Sequence, residues 1–246
     1  MIAALARASL LAGAMGACAP AMPPADAGPR DRFNWSVERY DRGKYHDAIR
    51  GLRDHLIREP LHPTADSARL ILAESYLNTD QELLAANEFR QLATSRPNSP
   101  LADDAQLGVC RSFWAVSPDL PRDQEYTQNA IDECTRLLEY FPRSPLVEEG
   151  RQIIAEARQK MAAKDLRIGR YYYGIGLYES AMIYLENLLE TYPEAEVIPE
   201  ALHVLHDCYY NVGFRMEADA VRQRLQELFP DSPQAKELAE RQADEG

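Results

Sequence analysis

Apolar residues recur along most of this chain at three- and four-residue intervals, with charged residues between them. That spacing predicts helices with one buried face. Five stretches share one pattern: "AIRGLRDHLIREP", "AANEFRQLATSRP", "AIDECTRLLEYFP", "AMIYLENLLETYP" and "ADAVRQRLQELFP". In each, an alanine precedes a proline by twelve residues: Ala48/Pro60, Ala85/Pro97, Ala130/Pro142, Ala181/Pro193 and Ala218/Pro230. Four residues after the alanines stand Leu52, Phe89, Cys134, Leu185 and Arg222; seven after stand His55, Leu92, Leu137, Leu188 and Leu225.

Each position has a physical reason. A small alanine lets two helices cross closely. The residues four and seven later continue the same face into a core. Proline ends the helix, because it lacks an amide and clashes with the preceding turn. Gly43/Tyr45 and Gly176/Tyr178 precede two of the alanines and predict tight turns between paired helices. Gly213 keeps the glycine but is followed by Arg215, and the second unit has Asp80 and Glu82 there instead. The pattern is that of the second helix of a tetratricopeptide repeat. It predicts an all-α, right-handed superhelical array of five helix hairpins, about ten helices, with units at 33–62, 63–99, 100–144, 145–195 and 196–232. A C-terminal helix then leads to a disordered tail at 241–246. Arg222 and His55 break the apolar pattern and are expected on the solvated faces of end repeats.

The prolines are spaced by 37, 45, 51 and 37 residues, against about 34 for an uninterrupted repeat. Two units therefore carry insertions. One is "AVSPDLPRDQEY", residues 115–126; the other precedes the fourth hairpin, where Pro145 to Gly174 reads as one long helix or two nearly collinear ones.

The N-terminus reads differently. Residues 1–17 are apolar or small apart from Arg7, too short a run for the ~20 residues that span a bilayer. The layout is that of a secretory signal. Gly16-Ala17-Cys18 resembles a bacterial lipobox, with Met15 where leucine is usual, so Cys18 is expected to be lipidated and to begin the mature chain. Residues 18–32 form the expected extended tether; 19–32 contain four prolines and should reach up to ~45 Å from the anchor. Ala19, rather than aspartate, follows the cysteine, which favours outer-membrane sorting.

Composition narrows the function. A net charge of -12 repels phosphate and argues against nucleic acid as a partner. With Cys18 lipidated, Cys110, Cys134 and Cys208 remain, an odd set that makes no disulfide framework. Each fits a helix as a small hydrophobe, and Cys110 and Cys134, in one hairpin, could pair. There is no phosphate-binding glycine loop, no zinc-spaced cysteine pair and no serine elbow, so neither enzymatic activity nor a cofactor is expected. "EALHVLHD" places His203 and His206 near Glu200, but a structural role outweighs metal binding. Of the 13 tyrosines, five lie between Tyr171 and Tyr184. Tyr172 and Tyr178 sit at repeat-core positions; Tyr171, Tyr173 and Tyr184 cannot all share that core.

The lipobox, tether and five repeats resemble the BamD family of outer-membrane β-barrel assembly lipoproteins. The likeness is most specific in "RDQEYTQNAIDECTRLLEYFPRSPLVEEG" and "RYYYGIGLYESAMIYLENLLETYPEA". Members often carry arginine where Tyr184 stands. The resemblance implies a scaffold at the periplasmic face of the outer membrane. Its C-terminal repeats would contact the POTRA domains of the barrel protein BamA, and its N-terminal repeats would receive unfolded barrel precursors. Arg122 and Asp123 in the insertion, with Tyr173 and Tyr184, are the expected partner contacts. A lipoprotein scaffold for cell-envelope division or peptidoglycan work is the alternative. An enzyme with a regulatory repeat region is disfavoured, since no stretch is left for a catalytic domain.

Overall fold

The computed structural model describes residues 26–120 and 122–245. Cys18 and most of the expected tether lie outside the described residues. Eleven α-helices are present among those described: α1 (Pro29–Asp41), α2 (Tyr45–Arg58), α3 (Ala65–Leu77), α4 (Glu82–Ser95), α5 (Ala102–Ala115), α6 (Glu125–Tyr140), α7 (Val147–Gly174), α8 (Tyr178–Thr191), α9 (Ile198–Val212), α10 (Arg215–Leu228) and α11 (Pro233–Glu245). Consecutive helices pair as hairpins and stack in order. Two boundaries differ from the sequence reading. α1 begins at Pro29, inside the segment expected to be extended, because proline suits the first helical turn. α11 runs to Glu245, through the expected disordered tail.

The repeated positions do what their chemistry suggests. All five alanines are buried, as are Leu52, Phe89, Cys134 and Leu185 four residues on. Every second helix ends two residues before its proline. The residue between, Glu59, Arg96, Phe141, Tyr192 or Phe229, has φ between -126° and -136° and ψ between 51° and 56°. This is the shift out of helical space that a following proline imposes. The amide of that residue still bonds the carbonyl four residues back, so one more helical carbonyl is satisfied.

Four of the hairpin turns use a left-handed residue. Gly43, Gly176 and Gly213 supply it at φ 69°, 76° and 93°. The second repeat lacks glycine, and Asp80 takes the same conformation at φ 55°, which aspartate tolerates better than most side chains. Asp80 thus stands in for the missing glycine.

The two exceptions in the apolar pattern are not solvated. His55 is fully buried. The Arg222 side chain is 13% exposed, hydrogen-bonded to Asp219 and, across to α11, to Gln242. α11 covers the end of the array, burying Ala235 and Leu238. Arg222 therefore lies beneath a cap.

The third repeat is stapled. Cys110 on α5 and Cys134 on α6 form a disulfide with their Cα atoms 5.0 Å apart. Beside it, buried Glu133 accepts hydrogen bonds from Arg90 at 2.7 Å and Gln106 at 3.0 Å, linking α4, α5 and α6. Cys208 remains a free, buried thiol, its pKa pushed up to about 12 by burial.

α7 is a single helix of 28 residues. Its first half closes the third repeat, with Gly150 against Leu137 and Leu138. Its second half is the first helix of the fourth, contributing Ala162 and Leu166 to the core that runs through α8 and α9 to α11. The long proline interval is thus spent on extra helix. No helix of the described residues is long and apolar enough to cross a membrane.

Candidate partner-binding surface

The insertion between α5 and α6 comprises residues 116–124 and is organised from within. Gln124 is 2% exposed and Thr127 fully buried. Gln124 Nε2 donates to the carbonyls of Pro118 and Arg122, both at 3.1 Å. Its Oε1 accepts from the Thr127 hydroxyl at 2.6 Å, and Thr127 in turn meets Ser117 Oγ. Lys160 of α7 donates to that Ser117 hydroxyl at 2.7 Å and lies over the Trp114 ring at 5.3 Å. Burial there lowers the Lys160 pKa. A loop with two prolines and few apolar residues is held by this polar chain in place of a core.

The loop positions the two charged residues expected to meet a partner. Asp123 is exposed, and its Oδ1 accepts from the Glu125 amide at 2.7 Å. It therefore satisfies an orphan donor at the start of α6. The Arg122 side chain is exposed, while its backbone carbonyl is tied down by Gln124. Asp123 thus also serves the hairpin itself, and the Arg122 side chain is presented to solvent.

The tyrosines form a second patch at the end of α7. Tyr184 of α8 stacks on Tyr172 with centroids 5.5 Å apart and planes 13° from parallel. Tyr171, 63% exposed, meets Tyr172 edge-on. Tyr173 meets Tyr178 and, like Tyr172, packs against the core. Burial, with Asp207 nearby, raises its pKa. Ile175 and Ile183 are also exposed. Tyr172 and Tyr173 are equally half-buried, so Tyr171 is the exposed edge of the patch, with Tyr184 stacked on Tyr172 beside it.

The loop and the tyrosines do not form one cluster. The loop meets α7 at Lys160 and the aromatic stack meets it at Tyr172. Twelve residues of helix hold these points ~18 Å apart along the axis. Two separated contacts on one rigid helix suit an extended protein surface rather than a small ligand. The sequence gives no spacing signal for Lys160, Ser117, Gln124 and Thr127, because their partnership depends on how α7 crosses the hairpin.

Glu200, His203 and His206 point to different partners. Glu200 pairs with Arg170, His203 Nε2 lies 3.4 Å from Glu237, and His206 Nδ1 lies 3.0 Å from Asp207 Oδ1. Among the described residues no group of three or more His, Cys, Asp or Glu side chains is placed to hold a metal ion.

Residues 25–225 match the YfiO family model, described as an outer membrane lipoprotein. The Neisseria meningitidis outer membrane protein assembly factor BamD is 24% identical over 223 residues, covering 81% of this chain and 82% of that protein. Its Caulobacter vibrioides counterpart is 25% identical over 189 residues, covering 76% of this chain and 61% of that protein. A Xylella fastidiosa counterpart is 29% identical over 124 residues, covering 50% and 42%. The chain thus spans under two thirds of the Caulobacter and Xylella relatives. The match to the family model covers most of the repeat array, and the chain belongs to the YfiO family of outer membrane lipoproteins.

Proposed function

We propose that the protein is a non-enzymatic scaffold lipoprotein of the outer-membrane β-barrel assembly machinery. It is tethered through a lipid on Cys18 to the periplasmic face of the outer membrane. There it binds the POTRA region of a BamA-like barrel protein and helps unfolded outer-membrane proteins to insert and fold. The family match over residues 25–225 carries this reading. The names of the relatives and the stacked helical array, whose extended surface suits protein ligands, also support it. Arg122 and the Tyr172–Tyr184 stack are the proposed partner contacts; Asp123 and Tyr173 support them from behind. Depleting the protein should lower the folded β-barrel content of the outer membrane and leave periplasmic precursors to accumulate. Unchanged barrel content after depletion, with altered septation or peptidoglycan instead, would favour a different envelope scaffold.

A further inference from the structure

Four of the five repeats place leucine seven residues after the crossing alanine; the first places His55. The imidazole is fully buried, 5.8 Å from the Phe33 ring of α1 and 5.5 Å from the His62 ring. A polar ring in a leucine site must find partners or lose stability. His55 Nε2 lies 2.9 Å from Thr64 Oγ1, and His62 Nδ1 lies 2.8 Å from the same oxygen. The Thr64 amide also donates to His62 Nδ1 at 3.2 Å.

These contacts fix the protons. The amide always carries one, so His62 Nδ1 is an acceptor. The single Thr64 hydroxyl proton then goes to that acceptor, and the Thr64 oxygen receives the Nε2–H of His55. His55 Nδ1 is left as a buried lone pair with no hydrogen-bond partner among the described residues. A second proton on His55 must go to Nδ1, creating a buried cation whose new N–H meets no acceptor. That unpartnered buried cation disfavours the closed packing of His55 against Thr64, the residue just before α3.

We propose that His55, Thr64 and His62 form a proton-sensitive latch. It holds the first hairpin, α1–α2, on the second repeat at neutral pH and loosens it when the medium turns mildly acid. This goes beyond the scaffold reading and does not depend on it.

The surroundings agree with that direction. Burial is the largest influence and lowers the His55 pKa; His62 and Arg32 of α1 add to it, while Glu59 and Asp54 oppose it. Asp54 is partly engaged, 3.9 Å from Arg32 and 2.7 Å from Arg58. Asp66, in the first turn of α3, lies 3.9 Å from Arg96. A histidine whose folded pKa is depressed stabilises the fold fully above its unfolded pKa of about 6.5. That contribution fades as the pH falls below this value towards the folded pKa.

Amide hydrogen exchange tests the latch when each peptide is corrected for its intrinsic exchange rate. Between pH 7.5 and 5.5, opening of α1–α2 should increase by up to about tenfold in all, while α8 stays flat. His55→Leu installs the residue used by the other four repeats and should make α1–α2 equally protected at both values. Persistent acid opening in that variant, or a flat wild type, overturns the proposal. Nitrogen NMR of the wild type gives a second reading independent of any substitution. His55 should be the neutral Nε2–H tautomer while α1–α2 is closed; a charged His55 in the closed hairpin at pH 6 contradicts it.

Discussion

Lys160 Nζ donates to the Ser117 hydroxyl at 2.7 Å, joining the middle of α7 to a loop 43 residues earlier. The ammonium also approaches the Ser117 carbonyl at 3.3 Å. One side chain thus connects the insertion of the third repeat to the helix that builds the fourth. Replacing Lys160 by Met keeps most of the aliphatic stem over Trp114 and removes the donor. Loss of a charged hydrogen bond should cost ~1.5–3 kcal/mol when buried, and less here because the group is partly exposed. Hydrogen exchange of residues 116–124 should rise while α8–α10 stay protected. Unchanged loop exchange would show that Gln124 and Thr127 hold the loop without Lys160.

Ala181 is fully buried where α8 crosses its neighbours. Ala181→Phe should destabilise the array by ~1–3 kcal/mol through overpacking. The effect should reach the third and fifth repeats, because each repeat leans on its neighbours. Thermal unfolding followed by circular dichroism checks this. An unchanged melting temperature would mean that the crossing can open without cost.

Glu133 is a buried carboxylate held by Arg90, Gln106 and Arg136. Arg90→Ala leaves the acid with two of its three partners and should cost ~1–3 kcal/mol in urea unfolding. A second change, Glu133→Gln, should recover part of that loss by removing the stranded charge. Equal stability of the single and double variants would deny the coupling.

The Asp207 side chain is only 14% exposed and pairs with Arg241 of α11 at 3.0 Å. Burial raises its pKa most, but the His206 hydrogen bond and the nearby His203 and Arg241 together outweigh it, and the net direction is downward. A carboxylate with a depressed folded pKa stabilises above its unfolded pKa and ceases to do so as the pH falls through the folded value. The melting temperature of Asp207→Asn should therefore lie below that of wild type at pH 7, and the gap should narrow on acidification below pH 4. A constant gap would mean that shape rather than charge matters there.

Much of the fold was legible because its rules are local. The alanine–proline spacing located all five second helices, and the glycines located three of their turns. Asp80 was harder, since a left-handed aspartate looks like any polar residue. His55 was misread as solvated because one chain position does not reveal that Phe33 and Thr64 close over it. Arg222 was misread for a similar reason: α11 folds back over a face that would otherwise be open. The loop network was invisible because its members come from the insertion, α6 and α7, and long-range polar contacts leave no period. Tyr172 and Tyr178 were placed correctly by repeat position. The separation of Arg122 from Tyr184 followed only from the unbroken length of α7.

The array is proposed to bind a BamA-like partner through the third-repeat loop and the fourth-repeat tyrosines. The most direct test is crosslinking and copurification from outer membranes, comparing wild type with Arg122→Ala and Tyr184→Ala. Wild type should bring down a POTRA-bearing barrel protein. Each variant should bind it more weakly by ~1–3 kcal/mol if these residues are hot spots, with the melting temperature unchanged. Recovery of a different envelope partner, or lost thermal stability with full partner affinity, would contradict the account.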